Sequence, residues 1–246
     1  MNRKTVVITG GNSGIGLACA DYLSQRNFRV LITARNPSRL EACIRALGGR
    51  VEGYLVDAGN LDQIGAWVAQ LAAKGERIDG LFINAGIFRA TDFESTTEAI
   101  FDQTMQVNFK CPFFTILKLL PLFQRPASIV LNTSVAVMRA FPNTSAYTAS
   151  KAALESLAQV LNVELADWGI RTNIISPGVT NTPILEKAGL SKDEVSDLLE
   201  RLADSLPIGR DVLPTGFAPI LRFLVSDESL VLRNEKIIVD GGATLR

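Results

Sequence analysis

The chain contains no histidine in 246 residues. That absence removes Ser-His-Asp and Cys-His nucleophile mechanisms together. It also argues against a catalytic zinc or non-haem iron centre, whose commonest ligand is imidazole, so no metal is expected. Proton transfer must then fall to Tyr, Lys, Asp, Glu or Cys. Cysteine is nearly as scarce. Cys19, Cys43 and Cys111 are odd in number and widely spaced, with no CxxC pair. Each sits in an apolar helical pattern, so buried free thiols are expected rather than disulfides or ligands. No charge of one sign dominates, since 25 Lys and Arg balance 25 Asp and Glu. No basic cluster exceeds a pair, and neither nucleic acid nor an anionic membrane is an expected partner. The opening strand-like run Thr5-Val6-Val7-Ile8-Thr9 meets glycine at once. It is too short for a signal core or a membrane span, which leads to the expectation of a soluble, cytoplasmic protein.

What the chain does have is apolar residues, 47% of the total. Short apolar runs at 4–9, 29–33, 51–56, 79–83, 128–133, 171–176 and 236–240 alternate with helical stretches. Such runs suit strands buried on both faces, and the alternation predicts a parallel sheet. Asn36-Pro37 and Gly48-Gly49 bracket a helix near 37–47, and Ser191-Lys192-Asp193-Glu194 reads as a capping box for one near 192–205. No linker or repeat divides the chain. The expected fold is α/β, a single Rossmann-like doubly wound parallel β-sheet of about seven strands with helices on both faces. Residues 1–246 form one domain in this reading.

The first strand feeds Thr9-Gly10-Gly11-Asn12-Ser13-Gly14-Ile15-Gly16 and then a helix. Glycines there permit a tight turn and let backbone approach a pyrophosphate at a helix N-terminus. Gly10, Asn12, Ser13, Gly14, Ile15 and Gly16 are therefore candidate phosphate-binding residues. At the end of strand two an acid would select NAD and an arginine NADP. The sequence there is Thr33-Ala34-Arg35-Asn36, so NADP(H) is favoured over NAD(H), with Arg35 facing the 2′-phosphate and Arg39 one turn on. Asp57, after strand three, could bind the adenine amino group. Asn84, Ala85 and Gly86, after strand four, offer small backbone beside the cofactor.

Strand five ends at Asn132-Thr133-Ser134, and Ser145-Ala146-Tyr147-Thr148-Ala149-Ser150-Lys151 opens a long helical stretch to about Trp168. Tyr147 and Lys151 share one helix face. A free tyrosine is a poor base at neutral pH, but a nearby ammonium and an oxidised nicotinamide both favour the phenolate, so a lowered pKa is expected. Tyr147 could then exchange a proton with a carbonyl or alcohol oxygen held by Ser134, while Lys151 also binds the nicotinamide ribose.

These residues resemble the short-chain dehydrogenase/reductase family, in its single-domain branch of about this length. The likeness spans essentially the whole chain: the T-G-x-x-x-G-I-G loop at 9–16, N-A-G at 84–86, Ser134, Y-x-x-x-K at 147–151 and P-G at 177–178. It implies a hydride transfer between nicotinamide and a carbonyl or secondary alcohol, with Tyr147 as general acid/base. It further implies that Asn108 completes a tetrad by anchoring a water in the proton relay. Pro177, Gly178, Val179 and Thr182 would flank the nicotinamide, with Thr180 the alternative to Thr182. Ile83 replaces the first asparagine of the family's N-N-A-G, and Ala58-Gly59-Asn60 is looser than the usual sequence after Asp57. Ser13 stands where some NADP-specific members carry a basic residue.

The resemblance places the substrate-covering segment at about 183–210, here amphipathic with Ile184, Leu185, Leu190, Leu198, Leu199, Leu202 and Leu206. Phe88, Val135, Met138 and Phe141 could complete an apolar pocket for a small-molecule carbonyl or alcohol substrate, with Arg89 and Arg139 nearby. Residues 112–123 and the helix of 147–165 are apolar on several faces. Outer helices of that kind suggest a symmetric helix-pair interface, and the resemblance implies a homodimer or homotetramer. A non-catalytic NADP(H)-binding sensor or scaffold is the alternative, though neither Tyr147 nor Lys151 is lost. Sugar-nucleotide epimerases share Y-x-x-x-K but use an extra C-terminal domain for which the chain has no room.

Overall fold

The computed structural model describes residues 3–245, the side chain of Leu202 excepted. Seven strands form one sheet: β1 (Lys4–Ile8), β2 (Phe28–Ala34), β3 (Val51–Leu55), β4 (Ile78–Ile83), β5 (Phe123–Asn132), β6 (Ile170–Pro177) and β7 (Lys236–Val239). All neighbouring pairs are parallel, in the order β3-β2-β1-β4-β5-β6-β7. The order reverses between β1 and β4, which leaves a crevice at the carboxyl ends of these strands.

Strand alternation divides the core in two. Val6, Ile8, Val30, Ile32 and Phe82 point to one face, where α1 (Gly14–Ser24), α2 (Pro37–Ala46) and α9 (Phe217–Val225) supply Cys19, Leu23, Leu40, Leu221 and Leu224. Val7, Leu31, Leu81, Ile83 and Ile129 point to the other. There α3 (Leu61–Ala73), α5 (Cys111–Leu119) and α6 (Ser145–Glu164) bring Ile64, Trp67, Ile116, Leu154 and Ala158. Each fully buried Leu, Ile or Phe contributes about 1.5–3 kcal/mol. A third, smaller cluster of Leu185, Val195 and Leu199 joins α7 (Ile184–Lys187) to α8 (Lys192–Ser205), apart from both.

Local chemistry sets the helix ends. Asn36 accepts from the Arg39 amide with Pro37 in the first turn. Ser191 and Glu194 form the expected capping box, each side chain taking the other's backbone N–H. The three cysteines are buried and free. No described helix is long and apolar enough to cross a membrane.

Three expectations need correction. The apolar run 112–123 is not one helix. It ends as α5 at Leu119, turns through Leu120–Leu122, and Phe123 already belongs to β5. That strand starts five residues before the expected 128 because a register shift between Ile78 and Gly80 carries it past Pro126, which cannot donate to a regular ladder. The long helix stops at Glu164, and Gly169 takes a positive φ of 68° just before β6.

Candidate active site

A groove of about 570 Å³ runs along the carboxyl ends of β1, β2, β4, β5 and β6. Its first wall is the turn after β1. Gly14 adopts φ of 54°, a left-handed conformation that opens α1 without side-chain strain. No acidic residue stands in the first turn of α1 and Ser13 makes no side-chain cap, so its leading amides remain available to an anion. Gly10, Asn12, Ser13, Gly14 and Ile15 line the groove. Gly16 does not. A Cβ there would lie 2.5 Å from the Gly10 carbonyl and 2.6 Å from Asn84 Nδ2, so its lack of side chain lets α1 press against the loops after β1 and β4.

Asn84 turns out to be a fastener. Its amide donates to the Thr9 carbonyl at 2.9 Å and to Gly10, and its oxygen accepts from Asn132 Nδ2 at 3.1 Å. Thr9 Oγ1 takes the Asn84 and Ala85 amides at 2.9 and 3.0 Å. Ala85 and Gly86 therefore face the groove as bare backbone, together with Asn84 itself. Asp57 also lines it. One of its carboxylate oxygens accepts from the Gly59 amide at 2.9 Å.

Past Gly86 the groove reaches Ser134, Tyr147 and Lys151. Ser134 ends the extension of β5 and accepts from the Ala136 amide, which fixes its hydroxyl beside Tyr147. Lys151 is only 4% exposed and donates to the Asn132 carbonyl at 2.8 Å, with Nζ 5.9 Å from the Tyr147 ring centroid. Phe88 packs edge-on to the same ring at 5.0 Å. Asn108 is fully buried in a single wide turn of helix, Gln106–Lys110, between α4 (Glu98–Met105) and α5. Its side chain accepts from Ile87 N and donates to Ile87 O and Ser150 Oγ, which ties α6 to the loop following β4. Wide turns of this kind cluster at functional sites.

Burial sets the two titrations. It pushes the Lys151 ammonium down to about 8. It raises the Tyr147 phenol above the ordinary tyrosine value, and the hydrogen bond with Ser134 opposes that only in part. The expected lowering by Lys151 is not found, because desolvation dominates in the protein alone.

Pro177, Gly178, Val179, Thr180 and Thr182 form the far lip. Thr180 turns its hydroxyl back to the Gly178 carbonyl, whereas the Thr182 side chain lies over Gly14. A side chamber of about 260 Å³ adjoins the groove through Val135, Phe141 and Val179. Met138 lines neither space, at 41% exposure. Arg139 is engaged already, donating to the Ala243 carbonyl and lying over the Phe141 ring. Two contributors escaped the sequence reading. Glu155, one turn beyond Lys151, accepts from Thr133 Oγ1 at 3.0 Å and from Lys236 at 2.6 Å, which ties α6 to β7 behind Ser134. Lys187 reaches the groove from α7. The i, i+4 spacing from Lys151 was the available signal for the first, and none existed for the second.

The groove fits a dinucleotide by its own chemistry: open helix amides at its centre, uncommitted arginines at one end and a tyrosine–lysine pair at the other. Fold and site together define a nicotinamide-dependent oxidoreductase of α/β type. The family model described as Enoyl-(Acyl carrier protein) reductase matches residues 10–244. The 3-oxoacyl-acyl-carrier-protein reductase FabG of Thermotoga maritima is 32% identical, over 100% of this chain and 99% of that protein. The uncharacterized oxidoreductase YxbG of Bacillus subtilis is 31% identical, over 98% of this chain and 91% of that one. Among solved structures, levodione reductase superposes with a TM-score of 0.91 at 29% identity, covering 100% and 99% of the two chains. The chain belongs to the short-chain dehydrogenase/reductase family, whose members transfer hydride between a nicotinamide cofactor and alcohol- or carbonyl-type small molecules.

Proposed function

We propose that this protein is an NADP(H)-dependent carbonyl reductase or secondary-alcohol dehydrogenase in which Tyr147 carries the proton. The observation that carries the reading is the meeting of Tyr147 with Ser134 and a buried Lys151 at one end of the groove. When bound, the nicotinamide supplies or accepts the hydride. In reduction Tyr147 Oη donates its proton to the carbonyl oxygen, while the Ser134 hydroxyl orients that oxygen. In oxidation Tyr147 takes the proton from the alcohol. A phenol held protonated by its surroundings suits the first of these. Lys151 adds positive charge beside Oη and offers donors to ribose hydroxyls. Asn108 positions the Ile87 backbone and Ser150, and any relay water would lie on that side of Lys151. Gly14 and its neighbours take the pyrophosphate, Asp57 the adenine, and Thr182 with Val179 the carboxamide.

Arg35, with no carboxylate at the end of β2, supports NADP(H) over NAD(H). The apolar side chamber supports a hydrophobic or mixed carbonyl compound. Relatives named for 3-oxoacyl-carrier-protein, levodione and cyclopentanol agree with that breadth. We read the chain as one domain with a variable segment at 183–210. Exposed Phe113 and Leu117 on α5 and Val160 and Val163 on α6 support a homodimer or homotetramer. Three buried free thiols agree with the cytoplasm.

The test is a panel of ketones, 3-oxoacyl thioesters and secondary alcohols with NADPH/NADP+ and NADH/NAD+, on wild type and Tyr147→Phe. Turnover by wild type should fall roughly 10³-fold in the variant, the usual size of a general-acid contribution. Full activity of Tyr147→Phe refutes the mechanism. No turnover on any substrate favours a binding protein without catalysis.

A further inference from the structure

Three cations face one end of the groove without a partner. Arg35 stands just past β2, Arg39 lies in the first turn of α2, and Lys187 is the last residue of α7. All three line the groove. None has a hydrogen bond or ion pair from its side chain among the described residues, whereas Arg29, Arg50 and Arg222 elsewhere on the surface each hold a carboxylate. The segment that carries Lys187 is seated on the phosphate loop. A Cβ on Gly14 would meet Thr182 at 3.2 Å and Pro183 at 3.9 Å. So α7 starts beside Gly14, and its last residue lines the same groove as the two arginines. Desolvation and then repulsion from Arg39 and Arg35 hold the Lys187 ammonium below the usual lysine range, which places the three charges within mutual reach. Like charges gathered in a concave site favour an anion between them, and a phosphate monoester near −2 matches.

We propose that Lys187 is a specificity-determining residue that clasps the adenosine 2′-phosphate from above, opposite Arg35 and Arg39, so that this phosphate pins α7 over the groove. This rests on the NADP(H) reading and adds a consequence to it. The 2′-phosphate is bound between the sheet and the covering segment, and choice of cofactor then governs how firmly residues 183–206 are held. NAD(H) occupies the same groove but leaves α7 without its anchor.

Calorimetric titration with 2′,5′-ADP and 5′-ADP tests this without turnover. Wild type should bind 2′,5′-ADP more tightly than 5′-ADP. Lys187→Gln should lose roughly 10-fold in affinity for 2′,5′-ADP and nothing for 5′-ADP, as expected for one charge-assisted contact at a surface site. Lys187→Arg should restore most of it. Hydrogen exchange over 183–206 should slow on adding 2′,5′-ADP to wild type, and not to Lys187→Gln. A variant that keeps the full preference for 2′,5′-ADP overturns the role of Lys187 while the NADP(H) reading stands. Equal weakening of both ligands overturns it in favour of a contact to the 5′-phosphate that the two share. A wild type indifferent to the 2′-phosphate removes the NADP(H) reading and this inference with it.

Discussion

The two ends of the sheet treat charge in opposite ways. At the amino ends of the strands nearly every charged group has a protein partner. Arg171 on β6, 3% exposed, donates to the carbonyls of Ala127, Leu224 and Ser226 and to Ser229 Oγ. Arg29 at the start of β2 forks between Glu52 and Glu76. Asp79 at the start of β4 caps the Thr5 amide at 2.8 Å. At the carboxyl ends Arg35, Arg39 and Lys187 are left open, and Lys151 is buried against a single carbonyl. A fold stabilises itself by satisfying its polar groups internally, and a binding site leaves them for a visitor. The contrast separates residues that hold the sheet from residues that use it.

The sharpest way to break the comparison is Arg171→Met. It removes the donor from three buried carbonyls, and urea unfolding should show a loss of about 3 kcal/mol or more, with cofactor affinity of the folded protein unchanged. Next is Lys151→Met, read against pH. The unfolded lysine holds its proton to about 10.5 and the folded one to about 8. Between these values the unfolded state binds more protons, so wild-type stability rises with pH; below about 8 the full cost of the buried charge is present. The stability of Lys151→Met relative to wild type should therefore shrink by about 3 kcal/mol from pH 8 to pH 10.5 in urea titrations. A flat difference would show that Lys151 carries no such penalty.

Arg35→Ser should leave thermal stability alone and weaken NADPH roughly 10–100-fold, with NADH little changed, by fluorescence titration. If stability falls with it, Arg35 belongs to the fold and the contrast between the ends is blurred. The smallest effect is Glu76→Gln, about 1 kcal/mol at pH 7. The hydrogen bond from Arg29 holds the Glu76 carboxyl below its ordinary value, so its contribution is present above about 4.5 and lost as pH falls through the lower folded value. Wild type and Glu76→Gln should become equally stable in acid.

The sequence made the fold and the line of the groove legible because both rest on local chemistry. Strands such as Val30-Leu31-Ile32 are buried on both faces and show as unbroken apolar runs. Glycines mark the turn after β1, and a capping box marks α8 at its observed ends. Tyr147 and Lys151 declare themselves by spacing along one helix. What stayed hidden depends on neighbours remote in the chain. Nothing near Phe123 signals that a register shift 45 residues upstream, between Ile78 and Gly80, draws it into β5. Gly16 and Asn84 read as ligand contacts, and no local pattern shows that Gly16 also packs against Gly10 and Asn84, or that Asn84 also bonds to Thr9, Gly10 and Asn132. The Tyr147 titration follows from how much solvent the surrounding protein removes, which spacing does not encode.

The small cluster of Leu185, Val195 and Leu199 holds α7 and α8 together without entering either of the cores that flank the sheet. For evolution this makes the cover an exchangeable part. Its sequence is free to drift, and be selected for new substrates, while the two principal cores and the tyrosine–lysine pair stay as they are. With Lys187 on the 2′-phosphate as proposed, a change at that position made for the sake of a substrate would alter the choice of coenzyme as well.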